Sequence, residues 1–284
     1  MAPRLGRGPL AAELHQLSLT LLDECLAFLE DGHPEFPVTL HECRKRLKRL
    51  RGILRGCRPG LRKRRYTEQD RLLRDAARLL SSWRAQIAQA GALRRLAAHF
   101  GLPEPRTPEE WASAAAAENA AALELDSAVA RRAAASLLER SREEVHTWFD
   151  VSDLPETFAR GVRAEWRRAQ RGYHASLRRP DADVLHEWRK HVKYHLHHVQ
   201  LLRRKGHDHE ARIRELKELG ELLGDAHDLA EVRQLLPAQE AEAPRWNALL
   251  RAREAELNLM ALERGGPLFT EFPAELATQI RRWG

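Results

Sequence analysis

The sequence predicts an all-α protein, and two observations carry this prediction. Val, Ile and Thr, the residues that favour strands, number only 9, 4 and 8 among 284 residues. Nearly every segment between Pro and Gly breaks has apolar residues at three- and four-residue spacing, which is the period of an amphipathic helix. The chain is long enough to bury a sizeable core, and all-β and collagen-like architectures are excluded.

Pro and Gly breaks divide the chain into ten predicted helices. The stretch Thr107-Pro108-Glu109-Glu110 offers a cap residue, a first-turn proline and two acids where the helix dipole favours them. We predict a break at Gly265-Gly266-Pro267, between the last two helices. The predicted helices span residues 10–30, 38–56, 66–90, 91–100, 108–149, 155–178, 181–204, 208–236, 244–264 and 273–282.

Neither a membrane span nor a signal peptide is predicted. No window of 18 residues is free of charge, and the amino terminus lacks an apolar stretch with a cleavage site. We therefore expect a cytoplasmic protein without a membrane partner. Cys25, Cys43 and Cys57 are odd in number and lack CxxC spacing, so we expect packed thiols rather than disulfides or a zinc cluster.

Positive charge is concentrated in one part of the chain. The 48 Lys and Arg residues exceed the 41 Asp and Glu residues by 7. Residues 40–65 alone carry twelve cations against one acid, Glu42. Most of the cations are Arg, whose planar fork binds two phosphate or carboxylate oxygens at once. This density points to an anionic partner.

The basic segment is repeated later in the chain. LHECRKRLK at 40–48 matches LHEWRKHVK at 185–193 in six of nine positions, at a shift of 145 residues. The following helices match more weakly at a shift of 143, where Arg71 and Arg74 align with Arg214 and Lys217. Two matching helices in the same order imply a duplicated helical hairpin. The seam is expected near residue 150, giving halves 8–150 and 151–284.

On a helical wheel the repeated motif has a cationic face beside an apolar one. The order His, Arg, Lys, Lys at three- and four-residue spacing places like charges together, which is unfavourable in an isolated helix, so its repetition favours an anion-binding role. The expected binding residues of the two motif helices are His41, Arg44, Lys45, Lys48, Arg51, Arg55, His186, Arg189, Lys190, Lys193 and His197. Neighbouring helices are expected to add Arg71, Arg74, Arg163, Arg167, Arg171, Arg214 and Lys217.

These motifs resemble the CHAD family, the conserved histidine α-helical domain. The resemblance rests on the LHExRKxxK motif in both halves, on WRRAQR at 166–171 and on LLGDAHDL at 222–229, and it covers essentially the whole chain. It implies a single stand-alone domain over 8–284, with two pseudo-twofold-related helical bundles around a basic central groove or pore. One departure is that the family's Arg-Asp pair reads Arg84-Ala85 here, whereas the second half keeps His227-Asp228.

The resemblance also implies a function, which is the binding of inorganic polyphosphate. Bacterial members are associated with polyphosphate granules, and localisation there is expected for this chain. The family's binding residues carry over to His41, Arg44, Lys45 and Lys48, and to the second-copy set His186, Arg189, Lys190 and Lys193. No cofactor is expected.

Two other kinds of function remain open beside polyphosphate binding, whereas metal binding and catalysis are not expected. His191, His195 and His198 have spacing compatible with metal ligands, but the first copy has Arg46 and Leu50 where the second has His191 and His195, so we expect no metal site. No catalytic motif occurs, and we expect no enzyme activity. Nonspecific nucleic-acid binding is the main alternative, although Tyr66, Trp83, Trp166, Tyr173 and Trp188 are isolated and mostly apolar-facing. A helical scaffold is the second alternative.

Overall fold

Helices form all the regular structure in the described part of the chain. The computed structural model describes residues 10–30, 36–80, 82–103, 120–203, 209–236 and 243–282, and no strand occurs among them, so the all-α prediction is confirmed. None of the helices described there is long and apolar enough to cross a bilayer. These described residues form ten helices, which are α1 Leu10–Leu29, α2 Phe36–Cys57, α3 Lys63–Leu79, α4 Ser82–His99, α5 Ala120–Glu144, α6 Leu154–Arg178, α7 Ala182–Leu202, α8 Glu210–Leu235, α9 Ala243–Phe269 and α10 Ala274–Arg281.

Two helix starts show why the chain turns into helix where it does. An oxygen of Asp153 accepts a hydrogen bond from the Glu156 amide at 3.0 Å, at the start of α6. Asp181 accepts one from the Val184 amide at 3.0 Å, at the start of α7. Each carboxylate satisfies an amide that has no partner within its helix. The predicted helices over 155–178 and 181–204 are thereby confirmed.

Helix α2 lies at the centre of the molecule. It packs against α1 and α3, and also against α6 and α7 from the later part of the chain. Two glycines let α2 and α6 approach closely: a Cβ added at Gly161 would lie 2.1 Å from the carbonyl oxygen of Gly56. All three cysteines are fully buried in this core as free thiols, as predicted.

A second, smaller core joins α4 to the carboxyl-terminal helices. Leu93 and Leu96 of α4 cluster with Leu229 and Val232 of α8 and Leu257 of α9. Helix α4 therefore packs on helices from beyond residue 150, although it comes from the first of the two expected halves. The duplicated arrangement and the boundaries 8–150 and 151–284 stay predictions.

The helix predicted over 66–90 is wrong in extent, because α3 ends at Leu79 and α4 begins at Ser82. The helix predicted over 91–100 is the second part of α4. Arg44 explains the stop, since its Nη1 donates to the carbonyl oxygens of Ala77 at 2.7 Å and Leu80 at 3.2 Å. The final carbonyls of a helix have no partner within it, so a guanidinium from α2 stabilises this end.

The break predicted at 265–267 is also wrong. Helix α9 continues to Phe269 with Pro267 inside it. Gly265 is needed for packing, because a Cβ there would lie 2.7 Å from Cζ2 of Trp188. The helix predicted over 108–149 is confirmed from residue 120 to 144 and is followed by a 3-10 turn over Val145–Trp148. Its expected start at 107–110 lies outside the described residues.

Candidate anion-binding site

The two motif helices, α2 and α7, run in opposite directions where they cross. Nε2 of His198 donates to the carbonyl oxygen of Gly52 at 2.7 Å, and a Cβ added at Gly52 would lie 3.4 Å from Cβ of His197. The Arg55 guanidinium lies 4.2 Å from the ring centre of Tyr194. Later positions on α2 thus meet earlier positions on α7. Because Gly52 and His197 align at the repeat shift of 145, the two motif copies extend to opposite sides of this crossing.

Cations from both helices surround His197. Burial is the main cause that lowers the pKa of His197 to about 3; the charges of Arg49, Lys48 and Lys193 act in the same direction, and the hydrogen bond with Gln200 opposes them. His197 is therefore neutral near pH 7, and its Nδ1 lies 3.3 Å from Oε1 of Gln200. Five cations lie at the crossing of α2 and α7 or along the motif segments on either side of it, and we call them the motif strip: Arg44, Lys48, Arg49, Arg189 and Lys193.

Lys193 and Arg189, the motif-strip cations of the second copy, lie against two glycines of α8. A Cβ added at Gly220 would lie 3.0 Å from Cε and Nζ of Lys193, and one added at Gly224 would lie 3.5 Å from Nη2 of Arg189. Glycines one turn apart leave a shallow track for these two side chains. In the first copy Arg44 lies against the end of α3, as described above. In each copy, cations of the motif helix thus lie against the helix that follows it in the chain.

Both copies contain the same intrahelical ion pair. Nζ of Lys45 lies 2.7 Å from Oε1 of Glu42, and Nζ of Lys190 lies 2.5 Å from Oε1 of Glu187. These pairs are largely exposed, and exposed pairs exchange partners at little cost in free energy. The two lysines can therefore turn to a phosphate while Glu187 returns to water and Glu42 keeps its ion pair with Arg46.

Arg51 and Arg55 contact internal acids. Arg51 makes a bidentate pair with Asp70 of α3, at 2.9 and 3.3 Å. Nη1 of Arg55 lies 3.2 Å from Oε1 of Glu165 on α6. Burial lowers the pKa of Arg55, but the charge of Glu165 raises it, and the net shift is upward. The structure thus places both predicted site residues in ion pairs that join helices.

Glu165 is the centre of this internal network. Its carboxylate is fully buried. It accepts from Nδ1 of His191 at 2.9 Å and from Arg168, in addition to Arg55. Burial alone would raise the pKa of Glu165, but the His191 hydrogen bond and the two guanidinium charges lower it below its ordinary range.

The two motif histidines have different surroundings. His41 is exposed on α2. His186 is partly buried, and its ring lies against that of His227 with centroids 4.5 Å apart. Burial lowers the pKa of His186, and the neighbouring His227 lowers it further. His227 in turn lies 3.2 Å from a carboxylate oxygen of Glu231.

The flanking cations divide into three groups. With about 100° per residue, Arg74 is about 40° from Asp70 on α3, and Lys217 is about 60° from Gly220 on α8. Both lie near the motif helices, and each has an acid near it: Arg74 contacts Asp75 at 3.1 Å and Lys217 lies 3.8 Å from Glu221. Arg71 and Arg214 are exposed and turned further outward. The third group, Arg163, Arg167 and Arg171, is on the face of α6 opposite Glu165.

The aromatic side chains named above pack fully or partly inside the protein where the structure describes them. Trp188 is fully buried, and its ring lies 5.6 Å from that of Tyr173 and 6.3 Å from that of Phe269. Trp166 lies 6.4 Å from Phe269, so the prediction that Trp166, Tyr173 and Trp188 are isolated is wrong. Tyr66 is buried as well, and the side chains of Trp83 and Arg84 lie outside the described residues. This packing is typical of a core and differs from a base-stacking surface.

The histidine-rich part of α7 is buried. His195 and His198 have no exposed surface, and burial lowers the pKa of both. Across the described ranges no group of three His, Cys, Asp or Glu side chains has an arrangement that could hold a metal ion. Asp225 and Asp228 lie 3.1 and 3.9 Å from Nη2 of Arg95.

Sequence reasoning missed several residues of the site. Arg49 lies in the dense cationic run, but it projects about 80° away from His41, so the helical wheel does not assign it to the cationic face. Gly220 and Gly224 have a usable signal, since two small residues one turn apart predict a close approach. Glu165 is a single acid between the apolar residues Val162 and Trp166, which is also a recognisable signal.

Comparison with known families identifies the domain. A family model described as CHAD domain matches residues 20–237, which include both motif helices. The chain belongs to the CHAD family. CHAD domains are known for polyphosphate binding and are generally binding rather than catalytic domains. Searches of curated proteins and of solved structures gave no significant match.

Proposed function

We propose that this CHAD domain binds inorganic polyphosphate along the motif strip, without catalysis, in the cytoplasm of a bacterium and in association with polyphosphate granules. The observation that carries the proposal is the meeting of Lys48, Arg49 and Lys193 around His197. Cations from two helices and two motif copies converge there on one neutral residue. An anionic polymer crossing this point would contact both helices.

The length of the motif strip suits a polymer. Arg44 and Arg189 each lie eight residues from the crossing residues, or about 12 Å along each helix, so the strip is about 24 Å long. Each internal phosphoryl unit of polyphosphate carries about one negative charge. Several units can therefore be bound at once by side chains on rigid helices, with little ordering cost.

Removing one cation on each side of the crossing tests the proposal. In the double variant Lys48→Ala/Lys193→Ala, we expect the affinity for long-chain polyphosphate to fall roughly tenfold or more, which is about 1.4 kcal/mol. Calorimetric titration at about 150 mM salt measures this, because loose surface electrostatics are screened there. The matched control Arg94→Ala/Arg140→Ala removes two exposed cations from α4 and α5 and should bind like the unchanged protein.

The same titration with duplex DNA separates the main alternative. Tight polyphosphate binding with weak DNA binding supports a shaped, multivalent site. Equal affinity for both polymers, lost together as salt is added, would instead indicate a generic polyanion surface. In that case the nucleic-acid function replaces the proposal. Full affinity of the double variant would show that the motif strip is not the site. We expect no release of orthophosphate during the titration.

A further inference from the structure

A second set of arginines occupies the outer face of α6. Measured from Glu165, the side chains of Arg163, Arg167 and Arg171 project at about 160°, 200° and 240° around the helix. All three are exposed. Glu165 and its network face α2 and α7, so this outer face is turned away from the motif strip. Adjacent like charges at three- and four-residue spacing are unfavourable in an isolated helix.

These three arginines differ from the nearby Arg168 and Arg179 in their partners. Arg168 pairs with Glu165 and Arg179 pairs with Asp181. Within the described ranges Arg163, Arg167 and Arg171 form no ion pair with an acid, and Glu271 is the one acid that lines the cleft bordered by Arg163 and Arg167. Their charge is therefore available to an external anion.

A cleft between α6 and α10 gives this face a concave shape. It has a volume of about 460 Å³, and its lining includes Arg163, Arg167, Gln170, Phe272 and Thr278. The Arg163 guanidinium lies 5.4 Å from the ring centre of Phe272, and Nε2 of Gln170 donates to the Phe269 carbonyl oxygen at 2.8 Å. Arg281 also borders the cleft but pairs with Glu156 at 2.6 Å. The cleft walls are thus held by contacts between helices.

We propose that the outer face of α6 is a second polyphosphate-binding face, so that one protein molecule bridges two polyphosphate chains. The inference rests on the proposed function of the motif strip. The buried network of Glu165 lies between the two faces, so one short anion cannot contact both. A second copy of the chain is a poor occupant, because each copy carries a net charge of +7.

The experiment uses the full chain with tripolyphosphate and with long-chain polyphosphate. Calorimetry gives the number of tripolyphosphate ions bound, and light scattering measures bridging by the long chain. We expect two ions on the unchanged protein and one on Arg163→Ala/Arg167→Ala/Arg171→Ala, which should also lose the scattering. The control Arg94→Ala/Arg140→Ala/Arg251→Ala removes three exposed cations elsewhere and should retain both properties.

The two proposals fail in different ways. Unchanged scattering of the outer-face variant, or a single ion on the unchanged protein, overturns bridging and leaves the motif strip in place. Unchanged binding by Lys48→Ala/Lys193→Ala overturns the motif strip instead. Circular dichroism checks the fold of each variant. A second variant, Arg167→Gln/Arg171→Gln, keeps Arg163 against Phe272, and it should also bind one ion and lose the scattering.

Discussion

Glu165 shows how a single buried acid holds several helices together. Two arginines and a histidine, from α2, α6 and α7, donate hydrogen bonds to its carboxylate. Removing one partner of a buried ion pair leaves uncompensated charge in the interior, which typically costs about 3 to 5 kcal/mol. Exposed ion pairs contribute about 0 to 1 kcal/mol.

Glu165→Gln should therefore lower the free energy of unfolding by about 3 kcal/mol. The control is Glu156→Gln on the same helix, where an exposed acid pairs with Arg281 at 2.6 Å, and its effect should be much smaller because exposed ion pairs contribute little to stability. Urea unfolding at pH 7 measures both. Equal effects of the two variants would contradict a special role of the buried carboxylate.

At the scale of single residues, the sequence predicts faces but not partners. The helical wheel places Arg51 and Arg55 on the cationic face, and the structure keeps them on that side of α2. Their partners Asp70 and Glu165 lie 19 and 110 residues away in the sequence. The repeat itself carries no information about such distant acids. The partner that a side chain contacts depends on packing between helices, which periodicity does not encode.

Helix α8 supports the cations of the motif strip through its glycines. A helical glycine costs up to about 1 kcal/mol relative to alanine, so two glycines one turn apart are an unfavourable choice for an isolated helix. The contacts explain the choice, since Lys193 lies against Gly220 and Arg189 against Gly224. The helix is locally weakened where the cations need room.

Gly220→Ala should displace Lys193 and weaken polyphosphate binding a few-fold, while the better helix propensity of alanine keeps stability unchanged or higher. The new Cβ would lie 3.0 Å from Nζ of Lys193. Gly224→Ala is the matched control, because its Cβ would meet Arg189 at an ordinary 3.5 Å. Titration and thermal unfolding of both variants check this. Stronger loss in the Gly224 variant would argue against the displacement of Lys193.

At the scale of helices, most elements were predictable because their periodicity and caps are local. The misplaced boundaries have distant causes. The end of α3 depends on a guanidinium from α2, 33 residues earlier in the chain. The continuation of α9 through Gly265 and Pro267 depends on the bulk of Trp188 against the glycine. Local sequence rules describe glycine and proline as breaks, and packing overrides them here.

For the whole molecule, buried histidines of α7 make stability depend on pH. Burial lowers the pKa of His195 and His198, and that of His197 to about 3. The folded state therefore binds fewer protons than the unfolded state below about pH 6.5. Above that pH these histidines carry no protonation penalty, and below it the free energy of unfolding decreases as the pH falls. Glu165, whose pKa is lowered from the carboxyl range, contributes in the same direction only at a lower pH, below about 4.5.

The free energy of unfolding should thus decrease from pH 7 to pH 5, by up to about 1.4 kcal/mol per pH unit for each histidine. Urea unfolding across this range measures it. His195→Gln should make the dependence shallower, whereas His146→Gln, which changes an exposed histidine, should leave the slope unaltered. A flat profile between pH 7 and pH 5 would contradict the neutral, buried state of these side chains.

The packing of α4 has a consequence for synthesis on the ribosome. Leu93 and Leu96 find their apolar neighbours on α8 and α9, at residues such as Leu229 and Leu257. Contacts at this sequence separation form only after more than a hundred further residues have been made. During that interval the apolar face of α4 lacks these native neighbours, and exposed apolar surface of this kind favours aggregation. The basic motif of α2 emerges well before these neighbours are available.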